Sequence, residues 1–307
     1  MLEIIICEDK SPKGRDIEDM VNAFSKKSPL KIRYYTNEKN LGFDRNLAQI
    51  INLSRGKYVM YMSDDDYFIP GQMDKMIDYL TSTNCAVVYT YFVENKQGGM
   101  KRKYNSNWTE AKTDIGTGEL IMDFILFSGL IFRRECVVDI SADRFINLNY
   151  FQVYLGLSVL SRYGASYFNI PLVYAGGDGE NGYGTTELSK HNNLLADRTL
   201  PLSNLEFHKG LVKAIRLCDE DNGTHFLKTF SKEYSLRSYG HLANARSYGI
   251  KVLREAWRKM NGLDVELNII SYIYYYMLLL LGKEISDLIL SIPKKILLNK
   301  RREHAQG

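Results

Sequence analysis

Short apolar runs and amphipathic segments alternate along the first 95 residues of the chain. Four runs have the continuous apolar character of buried strands: 2–7, 30–37, 57–62 and 85–95. Three segments between them repeat apolar residues every three or four positions, as helices do: 15–24, 44–56 and 70–80. Repeated strand–helix units predict a doubly wound α/β domain with a mostly parallel sheet, which binds ligands at the carboxyl ends of its strands.

The pattern changes in the second half of the chain. Residues 96–118 are polar and glycine-containing and predict a surface loop, whereas 151–164 predict a helix and 165–177 a further strand. Beyond about Leu195 the periodicity is almost wholly helical. We therefore predict an α/β domain over residues 1–195 and a helical region over 196–307.

Three consecutive aspartates, Asp64, Asp65 and Asp66, follow the third apolar run. Adjacent carboxylates repel one another, and a divalent cation would offset that repulsion and hold them in one geometry. Magnesium prefers one or two carboxylates together with substrate phosphates, so a diphosphate is the expected partner. The simpler interpretation is a solvated acidic turn that caps the following helix. The position at the end of a strand favours the metal site.

Composition narrows the class of protein. Lys and Arg exceed Asp and Glu by only four, an excess too small to indicate nucleic-acid binding. The four cysteines are far apart and form no CxxC pair, which argues against a zinc site or a disulfide framework. No signal peptide is recognisable at the start of the chain, and the longest apolar run falls short of the ~18 residues of a membrane span. We expect a cytoplasmic protein.

A series of motifs resembles the family 2 inverting glycosyltransferases of the GT-A fold. In that family a strand ends in two acids and a serine, followed by an N-x-G, an R-N, a G-x-Y and the DXD strand. The matching residues are Glu8, Asp9, Ser11, Asn40, Gly42, Arg45, Asn46, Gly56, Tyr58, Asp64, Asp65 and Asp66. "SGLIFRRE", residues 128–135, resembles the strand that begins the acceptor-side half. The DDD form looks most like the O-antigen and capsule branch that includes abequosyltransferase-like enzymes.

The resemblance implies a role for each matching residue. Glu8 and Asp9 would face the base and ribose of a nucleotide-diphospho-sugar, and Asn40 would belong to the same site. Arg45 would contact the nucleotide or its diphosphate; the alternatives are an acid at a helix N-terminus for Asp9 and a surface charge for Arg45. The aspartates at 64, 65 and 66 would bind Mn²⁺ or Mg²⁺ bridging the diphosphate, with Asp64 also at the nucleotide sugar. An acceptor hydroxyl would then displace the nucleotide with inversion.

The catalytic base is a point of departure from the family. The usual Glu-Asp pair after the acceptor-side strand is replaced by "INLNYFQVYLGL", and neither Asn149 nor Gln152 can act as a base. The nearest carboxylates are Asp178 and Glu180 in a glycine-rich segment. Asp178 is the candidate base, and a plain loop is the simpler interpretation of both.

The start of the chain is a second departure. Family members begin with a strand of the type "VSIIIPTYN" and a helix, whereas this chain opens directly on "LEIIIC". In the family that first strand lies between the second strand and the DXD strand. Without it two strands would lack a neighbour, and unpaired buried backbone groups are costly. We expect either an upstream segment or a closed gap that compromises the nucleotide site.

The C-terminal segment combines an apolar stretch, a helical stripe and a basic tail. Its basic residues are Lys294, Lys295, Lys300, Arg301 and Arg302, and its tyrosines are Tyr272, Tyr274, Tyr275 and Tyr276. This pattern suits an anionic membrane surface, and the alternative is a core helix with a solvated tail. Because acceptors in the resembling branch are carried on polyprenyl lipids, we expect peripheral association with the inner face of the plasma membrane.

Three functional interpretations remain at this point. The first is a metal-dependent, hexosyltransferase-type enzyme that adds one sugar to a lipid-linked or saccharide acceptor during bacterial surface polysaccharide assembly. The second is an inactive or partner-dependent fragment that acts as a binding module. The third is a phosphatase with an aspartyl nucleophile, which would need Thr or Val where the chain has Tyr67 and Phe68.

Overall fold

The computed structural model describes residues 2–94, 120–122, 124–145, 147–175 and 202–303. The strands are β1 (Glu3–Glu8), β2 (Lys31–Thr36), β3 (Tyr58–Met60), β4 (Tyr67–Phe68), β5 (Val87–Glu94), β6 (Ile131–Arg133) and β7 (Ser166–Ala175). The helices are α1 (Gly14–Ser25), α2 (Phe43–Leu53), α3 (Met73–Ser82), α4 (Phe151–Tyr163), α5 (Ser203–Asn222), α6 (Phe226–Ser247), α7 (Ile250–Asn261) and α8 (Ile269–Glu303).

The described strands form two sheets. β1 and β2 pair in parallel, and a five-stranded sheet has the order β3-β6-β5-β7-β4. Within the larger sheet β3, β5 and β7 point the same way, because β6 is antiparallel to both β3 and β5 and β7 is parallel to β5. The short edge strand β4 is antiparallel to β7. The main strands therefore follow the predicted parallel arrangement, with two reversed strands added.

One edge of β1 and one edge of β3 have no strand partner among the described residues. Asn37 N donates to Glu8 O, so alternate residues of β1 from Glu8 backwards face β2. The backbone groups of Ile5 and Cys7 then point away from β2, and Cys7 O accepts a hydrogen bond from the Asn46 side chain instead. The gap between the second strand and the DXD strand, with an absent strand as its cause, remains a prediction.

The core of the larger sheet lies between its strands and two helices. Met76 of α3 packs with Val88, Ile131 and Leu172 in one buried cluster. On α4 every residue from Phe151 to Leu160 is buried, which explains why its sequence is apolar on all sides. A Cβ at Gly156 would lie 2.7 Å from the Phe124 ring, so this close contact requires glycine.

The chain divides into two compact units. One comprises Met1–Leu195 with Lys209–Leu227, and the other comprises Ala196–His208 with Lys228–Gly307. Helix α5 contributes residues to both, so the division differs from a single cut after Leu195. The predicted boundary between an α/β domain and a helical region stays a prediction.

The second unit is helical in its described part and includes α6, α7 and α8. Helix α8 bends at Gly282, whose φ of 77° is not helical. No helix in the described part of the chain is long and apolar enough to cross a membrane.

Candidate functional site

Asp9 lies directly after β1 and binds the start of α2. Its Oδ1 accepts hydrogen bonds from Leu41 N at 2.7 Å and Asn37 Nδ2 at 2.8 Å, and its Oδ2 accepts one from Gly42 N at 2.9 Å. Burial raises the pKa of Asp9, and these three hydrogen bonds oppose that rise. Gly42, with a φ of 80°, precedes the first turn of α2. The carboxylate therefore fixes the helix entry, and contact with a nucleotide stays a prediction.

Asn37 is a buried amide that joins the ends of β1, β2 and α2. Its Nδ2 donates to Asp9 and to Asn46 Oδ1 at 3.1 Å, and its Oδ1 accepts from Gln49 Nε2 at 2.6 Å. Asn40 Oδ1 accepts from Gly42 N at 3.0 Å, so Asn40 lies in the same loop. Sequence reasoning missed Asn37 and Gln49, although Asn37 is the last residue of the second run, 30–37.

Glu8 is buried and closes the turn between β1 and α1. Its carboxylate accepts hydrogen bonds from Ser11 N at 2.5 Å and Lys10 N at 3.0 Å. A Cβ at Gly14 would lie 3.0 Å from Glu8 Oε2, so the first residue of α1 is fitted around this side chain. These contacts assign Glu8 a structural role, and its predicted contact with the base remains untested.

The three aspartates lie in the turn that follows β3. Ser63 N donates to Ser128 Oγ at 3.0 Å, and Ser63 Oγ donates to Asp65 Oδ1 at 2.5 Å. Asp64 is exposed, whereas Asp65 and Asp66 are half-buried. No group of three or more potential ligands among His, Cys, Asp and Glu is preassembled for a metal ion in the described residues.

Aromatic contacts connect the end of β3 to the start of α2. The Phe127 ring lies 5.3 Å from that of Phe43 and 6.4 Å from that of Tyr61, both edge-on. Tyr61 Oη also donates to Leu47 O at 3.0 Å. Asp9 binds the loop just before Phe43, so these ring contacts link the segment after β3 to the helix whose start Asp9 holds. A ligand-binding rim shared by the carboxylates after β1 and after β3 stays a prediction.

Asp44, in the first turn of α2, binds the backbone that begins α4, and the sequence analysis did not predict this role. It is buried, and it accepts hydrogen bonds from Leu148 N, Asn149 N and Phe151 N at 3.1, 2.8 and 2.9 Å. Burial raises the pKa of Asp44 to about 6, against the lowering effect of these donors. Asn149 has a φ of 61°, a left-handed conformation that this anchor stabilises. The only sequence signal was an acid beside the R-N motif.

Arg45 lines a cavity of about 440 Å³ between α2 and the segment 138–143. Gln49, Asp139 and Asp143 also line the cavity. Arg45 Nε is buried and has no hydrogen-bond partner in the described part of the chain. Its predicted contact with a nucleotide diphosphate remains untested, and the nearby carboxylates would disfavour an anion at this position. The candidate base Asp178 and its neighbour Glu180 lie outside the described residues.

The motif residues from Glu8 to Asp66 lie within one stretch of the chain that matches a known protein family. Residues 1–138 match the family Glycosyl transferase family 2. The match covers β1 to β6 and every candidate site residue except Asp178. The prediction of a glycosyltransferase domain is confirmed.

A curated relative supports the same assignment. The uncharacterized glycosyltransferase MJ1057 of Methanocaldococcus jannaschii is 23% identical over 94 residues, which are 30% of this chain and 32% of that protein. The aligned part therefore spans about a third of the relative's length.

Solved glycosyltransferases share the fold. Residues 1–349 of TarS from S. aureus superpose with TM-scores of 0.51 in complex with UDP and 0.52 in complex with UDP-GlcNAc, at 12% identity. Each covers 90% of this chain, and 81% and 82% of TarS respectively. The predicted GT-A fold class is confirmed. The mannosyltransferase PcManGT of Pyrobaculum calidifontis, in complex with GDP-Man and Mn²⁺, reaches 0.45 at 13% identity, covering 94% of this chain and 78% of that one. A TM-score this low does not support inferring a bound Mn²⁺ in this chain.

Proposed function

We propose that this protein is an inverting glycosyltransferase that moves a sugar from a nucleotide-diphospho-sugar to a saccharide or polyprenyl-linked acceptor. The observation that carries the proposal is the family 2 match over residues 1–138, which includes the carboxylates at the ends of β1 and β3. In the proposal both groups belong to the ligand-binding edge that α/β proteins form at the carboxyl ends of their strands. The nucleotide would occupy this edge near Asp9 and Asn40, and its diphosphate would lie at Asp64, Asp65 and Asp66.

The donor set at the end of β3 fits Mn²⁺ or Mg²⁺. It consists of carboxylate oxygens, which hard cations prefer, and Asp64 is exposed where a diphosphate could complete the coordination. The lack of a preassembled three-ligand cluster in the described residues agrees with an ion shared between one or two carboxylates and the substrate. When bound, the ion would neutralise charge on the leaving diphosphate. Ser63 would orient Asp65 through its 2.5 Å hydrogen bond.

Inversion needs a base near the acceptor hydroxyl. Asp178 keeps that role in the proposal because the residues that start α4, Asn149 to Gln152, include no carboxylate. Asp44, the nearest acid to that segment, is committed to three backbone donors and acts as a positioning residue.

The biological setting proposed is bacterial surface polysaccharide assembly, in the O-antigen and capsule branch that includes abequosyltransferase-like enzymes. The DDD motif supports this setting because it resembles that branch. The basic C-terminal tail supports it because it suits a lipid-linked acceptor at the inner face of the plasma membrane.

A second candidate function follows from the two separate sheets. β1 and β3 each have a strand partner on one side only within the described residues. We propose that a further strand between them completes one continuous sheet and the nucleotide pocket. If no such strand is supplied, the chain would act as a binding module that does not transfer sugar.

Calorimetry with UDP-, GDP- and dTDP-linked sugars tests the proposed donor site. The wild type should bind one of them in Mn²⁺ and lose that binding with a chelator. Asp65→Asn should weaken binding at least tenfold, because the half-buried carboxylate loses its charge. Asp74→Asn removes an exposed carboxylate from the first turn of α3 and should bind normally. Equal affinity in the wild type and Asp65→Asn would refute the assignment of Asp65 to a metal site. Binding that does not depend on metal would refute the requirement for a divalent ion.

A further inference from the structure

An apolar stripe covers the outer side of the first half of α8. Its members are Ile269, Tyr272, Ile273, Tyr276 and Leu280, all exposed, with Leu280 at 78%. At about 100° per residue they fall within roughly a third of the helix circumference. Ser271, Tyr275 and Leu278 are buried on the opposite side, where Tyr275 stacks 4.6 Å from Trp257 of α7.

A second stripe continues beyond the bend at Gly282. Ile285, Leu288 and Ile289 are exposed, although this part of the helix is held to α6 by a 2.5 Å hydrogen bond from Tyr239 Oη to Asp287 Oδ1. Ser286, between them, is buried. The helix is therefore anchored on one side in both halves, and the side chains of the two stripes are exposed on the other side. Exposed apolar side chains gathered on one helix face mark an interaction site.

Charge indicates what covers this surface. The last turns of the same helix carry Lys294, Lys295, Lys300, Arg301 and Arg302, with Glu303 as the single acid from 292 to 303. Two copies of the chain meeting here in parallel would bring two basic stretches together, which is unfavourable. An anionic lipid surface would instead attract the basic stretch, receive the apolar stripe and accommodate its tyrosines at the headgroup level.

We propose that the outer face of α8, meaning the exposed side chains of both stripes, docks on an anionic bilayer surface without crossing it. The outer face of α8 would be the contact surface for the membrane association proposed above. The docking proposal rests on the proposed function in one respect: docking would give the enzyme access to a lipid-linked acceptor. The helix would lie in the plane of the interface, since no helix in the described residues can span a bilayer.

Flotation of the full chain with vesicles tests the docking surface. The wild type should float with phosphatidylcholine vesicles containing 30% phosphatidylglycerol and partition at least tenfold less onto pure phosphatidylcholine. Ile273→Glu with Leu280→Glu should lower binding to the anionic vesicles at least tenfold. Lys294→Gln with Lys295→Gln should weaken it and reduce its salt dependence. Leu236→Glu changes a side chain of α6 that is 49% exposed and should float as the wild type does.

Three outcomes would overturn the proposal. They are a wild type that does not float, a double glutamate variant that floats fully, and a wild-type dimer in light scattering that this variant converts to monomers. Leu280→Gln, a milder change at the most exposed position, should also reduce binding and guards against misfolding as the cause. Asp65→Asn should float normally, so a failure of the donor site and a failure of the docking surface remain distinguishable.

Discussion

At the scale of single residues, Asp44 connects the start of α2 to the start of α4. It sits in the first turn of α2, one residue after the aromatic Phe43, and its carboxylate binds the backbone that begins α4. The same helix start receives Asp9 from β1 through Gly42. Asp9 and Asp44, from different parts of the chain, thus both hold the first turn of α2. The position of that turn depends on both carboxylates.

Asp44→Ala should lower the free energy of unfolding by about 3 kcal/mol, because three backbone N–H groups, that of Phe151 fully buried, lose their acceptor. Urea unfolding at neutral pH measures this. Asp139→Ala, which removes an exposed carboxylate, should change stability by no more than about 0.5 kcal/mol. A change equally small for Asp44→Ala would show that water replaces the carboxylate and that the anchor is dispensable.

Asp9 and the three aspartates were singled out because each group closely follows an apolar run, and their contacts with a ligand stay predictions. The hydrogen bonds of Asp44 reach residues more than a hundred positions away, and no local pattern encodes such a contact. The backbone hydrogen bonds that Glu8 accepts from Lys10 and Ser11 have no counterpart in the motif either, and its predicted nucleotide contact stays a prediction.

At the scale of elements, continuous apolar runs identified the strands well and their ends poorly. β4 was not predicted, since two residues on a sheet edge carry no periodicity. Helix α3 begins at Met73, later than the predicted start at Pro70, after the β4 residues and a turn at Gly71 with a φ of 73°. The antiparallel direction of β6 also depends on long-range pairing that the run itself does not reveal.

The helical unit contains a half-buried pair of histidines on neighbouring helices. His208 of α5 lies 3.0 Å from Tyr234 Oη through its Nδ1, and its ring centroid is 4.8 Å from that of His241. Burial lowers the pKa of His208 to about 3, with a smaller contribution from His241, and burial also lowers the pKa of His241. Both rings are therefore neutral in the folded unit at physiological pH.

This pair makes the helical unit sensitive to acid. The pKa of His208 is lower in the folded than in the unfolded state, so stability is fully present above the unfolded pKa near 6.5 and falls as the pH decreases toward 3. At pH 5 the loss from His208 should be about 2 kcal/mol. Urea unfolding followed by helical circular dichroism at pH 7.5 and 5.0 measures it. His208→Gln should flatten the dependence, and an unchanged slope would remove the histidine as its cause.

At the scale of the whole molecule, the family match identifies only part of the chain. It ends at residue 138, before α4, β7 and the helical unit, so the match assigns no role to those elements. Fold class could be predicted from the order of strands and helices, because that order determines which elements can pack. The apolar runs did not predict the division into two sheets, since hydrogen bonding between distant strands has no signature in either run.

The central claim is that this chain consumes a nucleotide sugar. The direct measurement is release of nucleoside diphosphate from UDP-, GDP- and dTDP-linked sugars in Mn²⁺, with lipid-linked saccharides extracted from bacterial membranes as acceptors. The wild type should turn over one donor, and Asp65→Asn should do so about a hundredfold more slowly, as expected when stabilisation of a charged leaving group is lost. No release from any donor, or equal rates for the two proteins, would contradict the account.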